Sequence, residues 1–142
     1  MNTKVQKALK IMLIDDNELD LMLNKKILGR HSSFCAAVLP YLSAREALKF
    51  LNNAQPDLLP DCILLDLRMY GMSGFEFLNE YGKLPESFRN SCSLFILTAS
   101  DYPGMTQRAE ANVHVAGLLS KPLKVDILKR KLKQASGENT VD

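Results

Sequence analysis

Five polar residues stand directly after apolar runs of this chain, and their types suit one kind of chemistry. They are Asp15 and Asp16 after residues 11–14, Asp66 after residues 63–65, Thr98 after residues 94–97, and Lys121 after residues 116–120. Such runs, separated by helix-like segments, are typical of buried parallel strands, and open α/β sheets bind ligands beyond the carboxyl ends of their strands. Three carboxylates, a hydroxyl and an ammonium are therefore expected to converge, where they suit a divalent cation and a phosphoryl group on a carboxylate.

The elements that must position these residues alternate between strand-like and helix-like segments. Strands are predicted at residues 10–15, 35–39, 61–66, 93–98 and 113–120. Helices are predicted at residues 18–28, after capping boxes that begin at Ser43 and Ser73, at residues 105–111, and from residue 125 onward. The four-residue spacing of Leu19, Leu23 and Ile27 supports the first helix. Five βα units predict an α/β fold with a doubly wound parallel sheet.

The bulk composition is that of an ordinary globular protein. The chain has 142 residues, 46% hydrophobic and 24% charged, with a formal net charge of +2. One domain is expected, with a core at about residues 10–135 and a polar tail at 136–142. The weak charge predicts no direct nucleic-acid partner, and the lack of a signal peptide or a long apolar stretch predicts a cytoplasmic protein without a membrane span.

The cysteines and histidines carry no motif of their own. Cys35, Cys62 and Cys92 are odd in number and form no CxxC pair, so they are expected to be buried, reduced thiols. His31 falls in a predicted loop and His114 in a predicted strand, and both are expected to be structural.

In order and spacing, the motifs resemble the receiver domain of two-component response regulators. The matching pieces are residues 14–17, 64–69, 71–74, 97–99 and 120–122, and the likeness runs from about residue 10 to residue 134. The resemblance implies a flavodoxin-like (βα)5 fold with strand order 2-1-3-4-5. It also implies a phosphoacceptor of a phosphorelay, in which Mg-dependent transfer from a phosphohistidine donor switches a protein-interaction surface.

The resemblance assigns the acceptor and the metal ligands. Asp66 corresponds to the phosphoacceptor, and Asp15, Asp16, Asp66 and the backbone carbonyl of Arg68 correspond to the ligands of Mg²⁺ or Mn²⁺. Other acids are less suitable acceptors, because Asp61 begins a strand, Asp57 lies in a loop and Asp101 has no paired acid.

The remaining family positions concern phosphoryl binding and the switch. Lys121 would bind one phosphoryl oxygen and Thr98 would donate its hydroxyl to another, while Pro122 corresponds to a proline that follows a cis bond. Thr98 and Leu118 occupy the switch positions, but the family usually has an aromatic residue where Leu118 stands. The signal is expected to pass through Leu118 or through the loop that contains Tyr102.

Two departures lie in the loop after the acceptor. Tyr70 stands where the family often has proline, which predicts a less rigid loop. Arg68 is larger and more basic than many family members have at this position, which predicts a phosphorylated form that is not short-lived.

The implied partners are proteins. A histidine kinase or a histidine phosphotransfer protein would be the donor, the downstream target is unknown, and a homodimer is compatible with the family. No output domain follows residue 134, so a stand-alone receiver is expected. The protein is not expected to be an enzyme beyond phosphorylating and dephosphorylating itself at Asp66.

Several alternatives compete with this interpretation. Asp15 and Asp16 would by themselves suit a helix N-cap. An aspartate-nucleophile phosphatase of the haloacid dehalogenase type needs an acid two residues after the nucleophile, where this chain has Arg68. A nucleotide-binding domain needs a glycine-rich loop that is absent from the sequence. A phosphorylation-independent interaction module on the same fold remains the main alternative.

Overall fold

A computed structural model describes residues 7–99 and 103–137. Its five strands are β1 (Leu9–Ile14), β2 (Cys35–Tyr41), β3 (Cys62–Leu65), β4 (Ser93–Thr98) and β5 (Gly117–Ser120). All neighbouring strands are parallel and lie in the order β2-β1-β3-β4-β5, which confirms the predicted flavodoxin-like sheet.

The helices connect the strands in turn. They are α1 (Glu18–Gly29), α2 (Ala44–Asn53), α3 (Gly74–Tyr81), α4 (Glu86–Asn90), α5 (Pro103–Glu110) and α6 (Val125–Ala135), with one 3-10 turn at Pro56–Leu58. The Ser73 side chain and the Glu76 side chain each accept a backbone N–H of the other residue, so the capping box of α3 is complete. Ser43 Oγ likewise accepts the Glu46 N–H at the start of α2.

The central strands β1, β3 and β4 are buried on both faces because two apolar clusters sandwich the sheet, whereas the edge strand β2 is partly exposed. Met12, Ile14, Ile63 and Leu65 point into one cluster with α2 and α3. The alternate strand residues point into the other cluster, which contains Ile11, Leu13, Cys62, Leu64 and the buried residues of α1 and α6. This arrangement explains the continuous apolar runs of the sequence.

Strand register brings the polar residues to one edge of the sheet. Ile14 pairs with Leu65, so Asp15 and Asp66 leave neighbouring strands at the same level. Thr98 pairs with Ser120, which places Lys121 one residue beyond Thr98. The predicted convergence at the carboxyl edge is therefore present in the fold.

The buried face of α1 differs from the one that the apolar spacing suggests. Leu19 is 75% exposed and Leu23 is also exposed, whereas Leu21, Asn24 and Leu28 are buried. Asn24 is polar, but its Oδ1 accepts the Leu123 N–H at 3.2 Å, so burial leaves this oxygen satisfied. A polar contact with the chain after β5 therefore lies on the inner face of the helix.

The last strand begins later than predicted. β5 starts at Gly117, and His114 lies in the preceding turn, so the prediction of His114 within a strand is wrong. The Asn112 side chain accepts the His114 N–H at 2.9 Å, a local contact that turns the backbone after α5. The short helix α4 was also not predicted.

The cysteines are free thiols, as predicted. Cys35 and Cys62 are buried, while Cys92 is only half-buried. In the two ranges that the structure describes, no helix is both long enough and apolar enough to cross a bilayer.

Candidate functional site

A polar cavity of about 450 Å³ opens at the carboxyl edge of the sheet. Its lining includes Asp16, Asp20, Asp66, Arg68, Tyr70, Thr98 and Lys121. Asp15 lies buried beneath it, against the same lysine. The structure therefore brings together the acids, the hydroxyl residue and the lysine that the sequence singled out.

Asp15 and Asp16 do not cap the following helix. Asn17 is the N-cap of α1, and its Oδ1 accepts the Asp20 N–H at 3.0 Å. The Asn17 N–H in turn donates to Asp15 Oδ1 at 2.9 Å and fixes that carboxylate. The helix-cap interpretation of the acid pair is therefore wrong: Asp16 lines the cavity, and Asp15 is buried against Lys121.

Lys121 is the cationic centre of the site. Its Nζ lies 2.6 Å from Asp15 Oδ2, 3.0 Å from Asp20 Oδ2 and 3.1 Å from Asp66 Oδ2. The peptide bond between Lys121 and Pro122 is cis, as the resemblance implied. Burial alone would lower the pKa of Lys121, but the hydrogen bonds with Asp15 and Asp20 and the charge of Asp66 raise that pKa above its ordinary value. The lysine is therefore charged throughout the neutral range.

Asp15 is the buried carboxylate that faces Lys121. Its residue is 5% exposed, and burial raises the pKa of its carboxyl above the ordinary value of 3.8, although Lys121 acts against this shift. Asp15 Oδ2 is buried, and its partner among the described residues is the Lys121 ammonium, 2.6 Å away in an ion pair. An anionic oxygen of this kind favours a further cation.

The acids form a group of suitable size for a metal ion. One carboxylate oxygen from each of Asp15, Asp16 and Asp66 lies within 4.8 Å of the other two. Oxygen ligands of this type are those that Mg²⁺ and Mn²⁺ prefer. This set of three carboxylates, two of them buried, fits a hard divalent cation.

The loop after β3 holds two of these carboxylates through its backbone. The Arg68 N–H donates to Asp66 Oδ1 at 3.1 Å, and the Tyr70 N–H donates to Asp16 Oδ2 at 2.8 Å. Proline at position 70 could not make the second bond because it has no N–H. The Arg68 side chain is exposed and lines the cavity, and the Tyr70 side chain is 95% exposed.

The other acids weighed from the sequence lie elsewhere. Asp61 precedes β3 at the opposite edge of the sheet, where its Oδ2 accepts the Lys10 N–H at 2.8 Å. Asp57 is exposed in the 3-10 turn. Asp101 and Tyr102 lie outside the described residues. Leu118, in the middle of β5, is half-buried and packs against the cluster that contains Ile96.

Asp20 contacts Lys121, and the sequence patterns did not predict this contact. An acid in the first turn of a helix is usually explained by the helix dipole, so its type gave no separate signal. Its position four residues after Asp16 places it on the cavity side of α1, and this spacing was the available clue.

Comparisons with known proteins agree with this geometry. A family model for the response regulator receiver domain matches residues 11–133. The receiver protein of Dyadobacter fermentans has a solved structure with 36% identity and a TM-score of 0.81, covering 89% of this chain and 97% of that one. A two-component response regulator from Cytophaga hutchinsonii has 25% identity and a TM-score of 0.81, with coverage of 93% and 100%.

A longer relative also matches. The sensor histidine kinase AruS of Pseudomonas aeruginosa is 30% identical over 125 residues, which are 88% of this chain and 12% of that protein. The chain thus spans about an eighth of that relative's length. Since the family model covers most of the chain, this protein belongs to the response regulator receiver domain family, a signalling family of two-component systems.

Proposed function

We propose that Asp66 accepts a phosphoryl group from a phosphohistidine donor and that this modification switches a protein-interaction surface. The observation that carries the proposal is the position of the Lys121 ammonium, 3.1 Å from Asp66 Oδ2 and beside the acidic group at the cavity floor. A carboxylate nucleophile, a cation for the phosphoryl oxygens and a suitable metal-ligand set therefore occur together.

Each side chain has a separate task in the transfer. An Asp66 oxygen attacks phosphorus, the bond from phosphorus to the donor imidazole nitrogen breaks, and an acyl phosphate remains on Asp66. Lys121 donates to one phosphoryl oxygen and the Thr98 hydroxyl to another. The Arg68 N–H keeps the attacking carboxylate oriented through Oδ1.

Asp15, Asp16 and Asp66, with the Arg68 carbonyl, would hold Mg²⁺ or Mn²⁺. A divalent ion held by these residues would neutralise phosphoryl oxygens that otherwise repel the carboxylate. The chain's own contribution is to keep three carboxylate oxygens within 4.8 Å of one another, with Asp15 and Asp66 buried.

The surface beside the cavity suits a protein donor. Leu19, Met22 and Leu23 are exposed along α1, and the exposed Tyr70 lines the cavity. A histidine kinase or a histidine phosphotransfer protein could cover these apolar side chains while its histidine reaches Asp66. Similarity to a segment of a sensor histidine kinase supports a partner from the same signalling system.

The output is expected through Thr98 and Leu118. Movement of Thr98 toward a phosphoryl group would change how Leu118 packs against the core, and so bias the surface of α5, β5 and α6. We infer a cytoplasmic receiver domain that acts through protein contacts, without direct nucleic-acid binding. Its only reactions would be phosphorylation and dephosphorylation of itself, and a homodimer would be one use of the switched surface.

Intact-mass measurement tests this function directly. Wild type, Asp66→Asn and Asp57→Asn are incubated with Mg²⁺ and acetyl phosphate. One phosphoryl addition is expected in wild type and Asp57→Asn, and none in Asp66→Asn. Addition to Asp66→Asn would reject the acceptor, and no addition to any folded, Mg²⁺-binding protein would favour a phosphorylation-independent module or a strict need for the cognate kinase.

A further inference from the structure

A carboxylate outside the acidic group holds the site lysine. Asp20 lies in the first turn of α1, and its Oδ2 accepts a hydrogen bond of 3.0 Å from Lys121 Nζ. Its side chain is 37% exposed and lines the cavity above the lysine. Asp20 does not belong to the group of Asp15, Asp16 and Asp66 oxygens that suits a metal ion.

The single charge of Lys121 is shared among three carboxylates. Its side chain is only 9% exposed, so water does little to screen these contacts. Lys121 Nζ donates to Asp20 Oδ2 and Asp66 Oδ2, and it forms an ion pair with the nearer Asp15 Oδ2 at 2.6 Å. Asp20 therefore engages one of the three ammonium hydrogens although two more deeply buried carboxylates lie beside the same group.

Loading the site would leave Asp20 as the remaining counter-ion of Lys121. A divalent ion would engage the charges of Asp15 and Asp66, but Asp20 is not among its ligands. A phosphoryl group brings further negative charge and needs a hydrogen of the same ammonium. Asp20 would then compete with the phosphoryl oxygens for Lys121 and repel them across the cavity.

The backbone around Lys121 is fixed independently of Asp20. One helical turn further along α1, Asn24 Oδ1 accepts the Leu123 N–H, and the Lys121 N–H donates to the Thr98 carbonyl at 3.0 Å. Removal of the Asp20 charge should therefore free the ammonium group without displacing the loop that carries it.

We propose that Asp20 is a positioning residue that holds the Lys121 ammonium toward α1 and thereby lowers the affinity of the site for a phosphoryl group. The inference rests on the proposed phosphoacceptor function, but the hold on Lys121 exists in the unmodified protein. Asp20→Asn should keep the shape of the side chain and strengthen phosphoryl binding by roughly fivefold, the scale of one partly exposed charge pair.

Two measurements test the inference, with Glu18→Gln as the matched control. Glu18 is the other acid in the first turn of α1, and it is exposed and does not line the cavity. The first measurement is the exchange rate of the Lys121 ammonium hydrogens with water, read from the ¹⁵N NMR signal of Nζ without metal. The second is the affinity for beryllofluoride, a phosphoryl mimic, in the presence of Mg²⁺.

Faster ammonium exchange and tighter beryllofluoride binding are expected in Asp20→Asn and not in Glu18→Gln. An ammonium exchange rate in Asp20→Asn equal to that of wild type would show that Asp20 does not hold Lys121. This result would not depend on whether the protein reacts with phosphoryl donors. The proposed competition between Asp20 and the phosphoryl group for Lys121 would be overturned if Asp20→Asn bound beryllofluoride no more tightly than wild type. Absence of binding in wild type and both variants would overturn it as well. The proposed function has its own test: it would be rejected if intact-mass measurement showed no phosphoryl addition to wild type after incubation with acetyl phosphate.

Discussion

The backbone N–H of Tyr70 donates a hydrogen bond of 2.8 Å to Asp16 Oδ2. This bond links the loop after the acceptor strand to a carboxylate that leaves a different strand. Receivers with proline at this position cannot form it, since proline has no N–H. We expected that Tyr70 in place of proline would make this loop less rigid. Its N–H instead tethers the loop to Asp16, a candidate metal ligand.

Removing that tether should weaken metal binding. Tyr70→Pro deletes the N–H, whereas Tyr70→Ala keeps the N–H and deletes only the exposed ring. Because groups that orient a metal ligand commonly matter at least tenfold for affinity, Tyr70→Pro should bind Mg²⁺ about tenfold more weakly than Tyr70→Ala. NMR titration of the amides near Asp15 and Asp66 measures both affinities, and equal values would show that the tether does not orient Asp16.

Gly74 should be indispensable to the shape of the acceptor loop. A Cβ at this position would lie 2.6 Å from Leu67 Cα and 2.9 Å from the Asp66 carbonyl oxygen, both of which are backbone atoms. Gly74→Ala should therefore cost roughly 2–3 kcal/mol in the free energy of unfolding, because the backbone must shift. Urea denaturation measures this loss.

Gly104→Ala is the matched control for Gly74→Ala. Gly104 lies in α5, and a Cβ there would meet no atom within 4 Å. Alanine restricts the unfolded chain, so this variant should be as stable as wild type or up to about 1 kcal/mol more stable. Equal losses in the two variants would contradict the close approach at Gly74.

The parts of the site that the sequence predicted share one physical cause. Residues that end buried parallel strands must meet at the carboxyl edge, so Asp15, Asp66, Thr98 and Lys121 could be placed from the apolar runs alone. The strand order needed the family resemblance, since several right-handed topologies satisfy five βα units.

The parts that escaped prediction depend on contacts distant in sequence. The inner face of α1 includes Asn24 because its side chain satisfies the Leu123 N–H, 99 residues away, and this contact leaves no periodic apolar signal. Asp20 likewise acquires its role from Lys121, 101 residues away. β5 begins late because the Asn112 side chain accepts the His114 N–H and so stabilises a turn in place of a strand. A pattern of apolar residues gives no sign of such a side-chain hydrogen bond.

The buried carboxyl of Asp15 should make the metal-free protein less stable as pH rises. Its folded-state pKa is raised above 3.8, so the folded state binds this proton more tightly than the unfolded state. The corresponding stability is complete below 3.8 and is lost as pH rises through the folded-state pKa. Asp15→Asn should therefore be more stable than wild type at neutral pH, with a difference that shrinks on acidification.

Denaturant unfolding at several pH values, in the presence of a chelator, measures the effect of Asp15→Asn. Asp57→Asn serves as the control, because Asp57 is exposed and far from Lys121. A difference between Asp15→Asn and wild type that stays constant from neutral to acidic pH would show that the proton on Asp15 is not responsible.

Arg68 should prolong the lifetime of the phosphorylated form. Its N–H orients Asp66 at 3.1 Å, and its exposed side chain lines the cavity through which water must approach an acyl phosphate. Arg68→Ala keeps the N–H but removes the guanidinium, which can pair with phosphoryl oxygens and obstruct the attacking water. Loss of the acyl phosphate should accelerate about threefold to tenfold, the scale of one solvent-exposed hydrogen bond of roughly 0.5–1.5 kcal/mol.

The decay is followed by intact mass after the phosphoryl donor is removed. Arg45→Ala is a suitable control because Arg45 is exposed on α2 and does not line the cavity. Wild-type decay in Arg45→Ala with faster decay in Arg68→Ala would assign the effect to the side chain beside Asp66. Decay that is unchanged or slower in Arg68→Ala would mean that the guanidinium does not shield the acyl phosphate from water.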